Sequence, residues 1–422
     1  MKEAWVGGRA EKKHRSKETC SAALHRTPVE EKEDRMMVTH GNSIALDREI
    51  RWNNPDPPYQ VYAYPYHLRS GADAWEELSR KVRALQGDRF VIVTDAAFPA
   101  HLAEAVRRRL AAIAPCSLHA FHGGEQAKNL LTVYQLGNEA LLEGAMRSSV
   151  VIALGGGLAG NVAGLLAGLF LRGARLVHIP TTLLAMSDSC LSLKQGVNSE
   201  VGKNHFGMFY QPEFVWTDLT FLSVLPPREI QSALCELIKN VLAICPHLYD
   251  EIAATLRPDA FYTEHQLAHF IELCIDAKCS VMREDALEKH EAVVLEYGHS
   301  VGHALEMASH GTVPHGLAVG MGMVVDAELS RRLGLLSEHD LKAHYTLLRA
   351  NGAPTALPAG YGSEDLLSIM RRDNKRGYLP AIPGTYDLIL LERLGKPLRT
   401  GQTVLTQVDE EDVRAALEVC RA

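Results

Sequence analysis

An α/β architecture built on a parallel, doubly wound sheet is predicted for the first part of the chain, and a mostly helical architecture for the second. Three observations carry this. Short apolar, β-branched runs at 89–94 and 149–154 alternate with helical periodicities, as strands joined by crossover helices do. The run Gly155-Gly156-Gly157-Leu158-Ala159-Gly160 stands directly after one of them. Beyond Pro226-Pro227 the alternation stops and helical patterns follow in series.

In order, residues 1–35 carry the basic run Lys12-Lys13-His14-Arg15-Ser16-Lys17 and the acidic run Glu30-Glu31-Lys32-Glu33-Asp34 without periodicity. They read as a disordered extension reaching to about residue 50, and Met36-Met37 leaves open an alternative start. A first domain over 51–216 is expected to hold a helix at 73–85, the strand 89–94, a helix at 100–112, a strand at 117–121, a helix at 129–143 and the strand 149–154. A second domain over 217–422 is expected to hold helices at 228–245, 265–284, 296–309, 317–333 and 338–351.

Composition limits the function. The 422 residues are 46% hydrophobic and 23% charged, enough for two domains and too apolar for general disorder. Forty-four Lys and Arg against 51 Asp and Glu leave a net charge of −7, so there is no general positive field for nucleic acid or an anionic membrane. The eight cysteines form no C-x-x-C pair, which excludes a zinc ribbon and points to reduced thiols in a cytoplasmic protein. Apolar stretches such as 165–170 are cut by Gly or Arg, well short of the ~20 residues that a membrane span needs.

Gly155, Gly157 and Gly160 match G-x-G-x-x-G between a strand and a helix, where backbone amides can approach a pyrophosphate at a helix N-terminus. A merely tight turn has the same look. No Asp or Glu follows between Asn161 and Ser187, so the usual ribose-binding carboxylate of a dinucleotide fold is absent. Asp95, at the end of the strand 89–94, could supply it from upstream or could cap the next helix. The loop His122-Gly123-Gly124-Glu125-Gln126-Ala127-Lys128-Asn129 offers a carboxylate and an ammonium.

Downstream, Pro180-Thr181-Thr182, Lys194-Gln195-Gly196-Val197-Asn198, Gly202-Lys203-Asn204 and Phe209-Tyr210-Gln211-Pro212 form a polar stretch with two lysines nine apart, suited to a phosphorylated ligand or simply a solvated loop. Glu296-Tyr297-Gly298-His299-Ser300-Val301-Gly302-His303 places two imidazoles at i and i+4 on one helical face. With His315 and the carboxylate of Glu236 they make a nitrogen and oxygen set fit for zinc or a similar divalent ion. Spacing alone nominates both His299 and His303.

From about Tyr59 to the C-terminus, the strings GGGLAGNVAG, PTTLLAMSDS, KQGVN, GKN, FYQP, CELIKN and EYGHSVGHALE resemble, in order, the sugar phosphate cyclases, the family of 3-dehydroquinate synthase. CELIKN, EYGH, DNKRGY and LGKPL are most similar to its 2-deoxy-scyllo-inosose synthase branch, known from aminoglycoside antibiotic pathways. The resemblance implies a homodimer using NAD and a divalent metal, zinc or cobalt, on a sugar phosphate. It implies Glu236, His299 and His315 as metal ligands. Asp95, Glu125, Gln126, Ala127, Lys128, Gly157, Leu158, Ala159, Gly160, Asn161, Thr181, Thr182, Ser192, Leu193, Lys194 and Lys203 match positions around NAD. Asn204, Lys239 and Lys375 match substrate positions, and Lys194, Glu296 and His303 match catalytic ones.

Two departures bear on the substrate. Dehydroquinate synthases carry an arginine seven residues before the first metal histidine and an asparagine three before it, where this chain has Ala292 and Glu296. Losing a guanidinium and gaining a carboxylate disfavours an anionic carboxylate on the substrate and leaves a neutral sugar with a phosphate at one end. The branch would oxidise carbon 4 of glucose 6-phosphate transiently, eliminate phosphate, return the hydride and close the ring by an aldol step. An iron-type alcohol dehydrogenase, a cyclase of another sugar phosphate and a non-catalytic sensor are the rival expectations. Leu317 stands where the family often has Glu after the last ligand, a position that would tune that ligand rather than supply it.

Overall fold

The computed structural model describes residues 36–37, 43–56, 59–375, 377–401 and 403–422. The readings made for residues 1–35 lie outside the described residues.

Strand β1 (Ile44–Asn54) pairs antiparallel with β2 (Gln60–Ser70) over their full lengths. Residues 44–50, expected to belong to the extension, are therefore part of a strand: Ile44, Leu46, Ile50 and Trp52 are buried, and that apolar face holds them on the sheet. The parallel strands are β3 (Phe90–Asp95), β4 (Cys116–Phe121), β5 (Val150–Gly155) and β6 (Arg175–Pro180). After a hairpin of β7 (Lys194–Val197) and β8 (Phe206–Phe209) comes β9 (Phe214–Asp218). The sheet order is β1-β2-β9-β6-β5-β3-β4, with Met36–Met37 on the outer edge, and all pairs from β2 to β4 are parallel.

Helices α1 (Ala74–Ala84), α2 (Ala100–Ala111), α3 (Leu130–Leu142) and α4 (Gly157–Leu169) make the crossovers. Alternation along the strands feeds two cores. Val91, Val93, Val151 and Ala153 face the apolar sides of α3 and α4, whereas Phe90, Ile92, Ile152 and Leu154 join a larger cluster on the other side. That cluster runs on into the helices that follow. Because the chain steps from β3 outward to β4 and then returns to β5 on the other side, the carboxyl ends of β3 and β5 flank the reversal where open α/β sheets bind ligands.

The second half comprises α5 (Pro227–Ala243), α6 (Glu264–Met282), α7 (His299–Ala308), α8 (His315–Arg332) and α9 (Glu338–Ala350). Pro227 at the first helical position fixes the start of α5, a Thr263–Gln266 capping box that of α6, and the Ser337 side chain that of α9. The helix expected from residue 296 begins at His299 instead. A 3₁₀ turn over Glu291–Glu296 precedes it, and Gly298, at φ 78°, separates the two. Helix α10 (Ser363–Met370), the antiparallel pair β10 (Thr385–Ile389) and β11 (Leu405–Asp409), and α11 (Glu410–Val419) complete the chain.

Candidate active site

The glycine turn lies at the sheet reversal. Gly155 ends β5 at φ 151°, where a Cβ would stand 2.7 Å from that of Ala159, and Gly156 precedes α4 without any side-chain cap. The first-turn amides of α4, Gly157 to Ala159, are thus left for a ligand's oxygens. Gly160 follows against His178. Thr181 donates its N–H to the Gly155 carbonyl at 2.9 Å, and Thr182 caps the short helix Leu183–Ser187. Asn161 is used internally: its amide donates to the Gly157 carbonyl and accepts the Gly196 N–H, each at 2.9 Å, tying α4 to β7. Asp95 does not cap α2, whose first turn is preceded by Pro99; its carboxylate accepts the Ala97 N–H at 2.8 Å at the end of β3.

Across the crevice, the loop of Glu125, Gln126, Ala127 and Lys128 folds as a 3₁₀ turn. Lys128 donates to Asn204 at 2.6 Å, and burial brings its ammonium down to about 8. Lys203 lies between Glu125, at 3.0 Å, and Glu306, at 2.5 Å. Asn204 also donates its N–H to Asn198, and it lines a cavity together with Asp373.

Glu236, His299 and His315 converge from α5, α7 and α8. The Glu236 Oε1 atom lies 3.8 Å from His299 Nε2 and 3.6 Å from His315 Nε2, and it is buried without a hydrogen-bond partner. Its other oxygen takes the Lys239 ammonium. Each imidazole is oriented through Nδ1, His299 toward the Tyr297 carbonyl at 3.1 Å and His315 toward Glu306 at 3.0 Å. This directs both Nε2 atoms at the same orphaned oxygen, the arrangement of a divalent-metal site with its supporting hydrogen bonds. Burial, the Lys239 charge and the neighbouring imidazoles keep His299 neutral, as a ligand must be. His303 and Glu296 form a second possible set with His299, but Glu296 is held by lysines and His303 Nδ1 lies 3.5 Å from Asp373. The donors thus fit an ion best at Glu236, His299 and His315.

Beside that set lies a chain of alternating charge. Lys194, at the start of β7, is 2.6 Å from Glu288 and 3.5 Å from Glu296; Lys375 is 3.5 Å from Glu296 and 2.8 Å from Asp373. Burial opposes ionisation of Glu296, but Lys375 and Lys194 outweigh it and hold the carboxyl well below its usual range. Burial likewise opposes the Lys194 charge, and Glu288 and Glu296 overcome it. Burial keeps His303 neutral despite Asp373. Ser192 donates to Glu288 at 3.2 Å and accepts the Lys194 N–H at 3.1 Å, beside the fully buried Leu193.

Four carboxylates here carry no role in the sequence reading: Glu288, outside every motif quoted, and Glu306, Asp373 and Asp188, inside EYGHSVGHALE, DNKRGY and PTTLLAMSDS, the last paired with Lys278 at 3.0 Å. Glu306 had a local signal, because it lies seven residues after His299 and three after His303, on the same helical face. Ala292 is fully buried, and its N–H is held by Asp285 at 2.9 Å. No helix among the described residues is long and apolar enough to cross a membrane.

Models of the 3-dehydroquinate synthase N-terminal and C-terminal families match residues 118–232 and 233–376. A 2-deoxy-scyllo-inosose synthase of Streptomyces kanamyceticus is 44% identical over 356 residues, 84% of this chain and 91% of that protein. A solved 2-deoxy-scyllo-inosose synthase, complexed with carbaglucose-6-phosphate, NAD+ and Co2+, superposes with a TM-score of 0.81 at 36% identity, covering 89% of this chain and 100% of that one. The fold alone is shared with a 2-epi-5-epi-valiolone synthase from Streptomyces hygroscopicus subsp. jinggangensis with NAD+ and Zn2+ bound, at a TM-score of 0.70, 22% identity and coverage of 84% and 96%. The chain belongs to the 3-dehydroquinate synthase family of sugar phosphate cyclases, within its 2-deoxy-scyllo-inosose synthase branch.

Proposed function

We propose that this protein converts D-glucose 6-phosphate to 2-deoxy-scyllo-inosose and phosphate, a carbon–oxygen lyase reaction completed by ring closure, with NAD and zinc or cobalt bound. The observation that carries the reading is Glu296: a carboxylate only 17% exposed between two lysines, beside the Glu236, His299 and His315 donors, in a chain where Ala292 replaces the family's arginine. Such a pocket accepts a phosphate through its cations, and Ala292 offers no guanidinium at the position where dehydroquinate synthases clamp a second anionic group. A heptulosonate substrate is disfavoured on that ground.

When bound, NAD supplies a hydride acceptor that is restored within the turnover, and the divalent ion polarises a substrate oxygen. The chain's own residues do the rest. The glycine turn and the 123–128 loop hold the dinucleotide, with Asp95, Thr181, Thr182, Ser192, Leu193 and Lys203 around it. Lys194 Nζ and Lys375 Nζ take the phosphate and adjacent hydroxyls, while Lys239 and Asn204 fix the other end of the sugar. A phosphate on Lys194 draws that ammonium away from Glu296 and raises the proton affinity of the carboxylate, which then accepts the carbon-bound proton. His303, neutral and steadied by Asp373, exchanges hydroxyl protons. We further propose a homodimer in the cytoplasm; no disulfide joins any two cysteines among the described residues, which is consistent with a reducing compartment.

Incubation with glucose 6-phosphate, substoichiometric NAD and cobalt should release phosphate and yield the carbocycle by mass spectrometry. NADH accumulating in proportion to product, or turnover of a heptulosonate phosphate instead, would refute the reading.

A further inference from the structure

Helices α7 and α8 cross at glycines. A Cβ on Gly298 would lie 2.7 Å from the Val319 carbonyl oxygen, and one on Gly322 would lie 2.0 Å from the Gly298 carbonyl oxygen. At this crossing one side chain of α8 reaches the backbone just before His299: Asp326 Oδ2 accepts the Gly298 N–H at 2.9 Å. Asp326 is 2% exposed, and its Oδ1 has no hydrogen-bond partner among the described residues. A buried carboxyl with one oxygen unmatched is a poor device for stability. Its placement needs another reason.

Gly298 stands at φ 78°, and its N–H bond to Asp326 fixes the Tyr297–Gly298 peptide on α8, which the Tyr297 hydroxyl reaches separately at the Met323 carbonyl, 3.4 Å away. The residue before it is anchored too: the Tyr297 hydroxyl meets His344 Nε2 at 2.8 Å, and its carbonyl meets His299 Nδ1 at 3.1 Å. His315 opens the same helix that carries Asp326, eleven residues and about three turns earlier on one face. One rigid helix thus supplies one imidazole and holds the backbone that aims the other.

We propose that Asp326 is a positioning residue for His299, setting the ligand geometry of the metal site through the Gly298 N–H. The inference rests on the reading that Glu236, His299 and His315 hold the metal. The test uses full-length protein stripped of metal and titrated with Co2+ against a competing chelator, recording the ligand-field absorption of the bound cobalt. Asp326→Ala should bind cobalt about 10–100-fold more weakly with shifted bands, and Asp326→Asn, which keeps an acceptor oxygen, should restore wild-type affinity and spectrum. NAD affinity should be the same in all three. Should the alanine variant not fold, Asp326→Glu, which moves the acceptor by one methylene, should shift the bands. Wild-type affinity and spectrum in Asp326→Ala, or in Asp326→Glu, would overturn the proposal, as would equal impairment of Asp326→Asn and Asp326→Ala. His299→Ala tests the underlying reading separately: cobalt affinity retained there removes the metal assignment whatever Asp326 does.

Discussion

Replacing Lys239 by methionine removes the cation from a pair whose side chains are 2% and 1% exposed, and strands the Glu236 carboxylate in the interior. Breaking a buried pair from one side costs about 3–5 kcal/mol, chiefly the cost of the charge left behind. Asp188 and Glu296, which raise the proton affinity of Lys239 against the effect of burial, lose a neighbouring cation as well. A divalent ion on Glu236 would replace the missing positive charge. Metal should therefore stabilise Lys239→Met by about 3–5 kcal/mol more than it stabilises the wild type. With an unfolding entropy of about 2.1 cal/mol/K per residue, a chain of this size shifts by about 1.1 °C per kcal/mol, so the difference is about 3–6 °C. Thermal melts of both proteins in chelator and in saturating cobalt make the four-way comparison. If Lys239→Met melts with the wild type in chelator, or if cobalt raises both by the same amount, the buried-pair account is refuted.

Lys194→Ala and Glu296→Gln should each slow phosphate release about 10²–10⁴-fold while NAD still binds by calorimetry; a variant keeping most of its activity would take that residue out of the reaction. A Cβ on Gly316 would lie 1.8 Å from the Ser232 backbone oxygen of α5, which cannot rotate away. Gly316→Ala should therefore cost about 1–3 kcal/mol and weaken cobalt binding, since α8 must shift and His315 moves with it; unchanged urea midpoint and affinity would contradict this. Burial depresses His178 and His344 from 6.5 to about 4. Between those values the unfolded chain binds protons that the native one refuses, so stability falls as pH drops from about 6.5 toward 4, at up to ~1.4 kcal/mol per pH unit for each imidazole. His178→Leu should flatten that slope in urea titrations at pH 7, 6 and 5, and an unaltered slope would remove His178 as a cause.

Local patterns were legible wherever one face of an element repeats. The strands expected at 89–94, 117–121 and 149–154 and the helices between them appear within a residue or two of those positions, and Asn129, Pro227, Thr263 and Ser337 mark helix starts chemically, whereas the parallel strands β6 and β9 were not expected. The hairpin of β1 and β2 was obscured: Asp47-Arg48-Glu49 interrupts one apolar alternation, and Pro65 stands within the other. The β7–β8 hairpin read as a polar loop, since its apolar residues are few and its turn is rich in Ser, Asn and Gly. In the site, the glycine turn, the paired histidines and the lysines were visible as motifs.

Their partners were not. Glu288 lies 94 residues from Lys194, and Asp326 lies 28 from Gly298, so no spacing rule joins them. By itself the sequence determined the element series, the family motifs and the residue types the chemistry requires, because these depend on periodicity and on side-chain identity. Only the tertiary structure decided which carboxylate oxygen stays unpaired beside two imidazoles, which lysines surround Glu296 and which helix aims His299. Those outcomes depend on distances of a few ångströms between segments far apart in the chain, where burial and charge pairing act together.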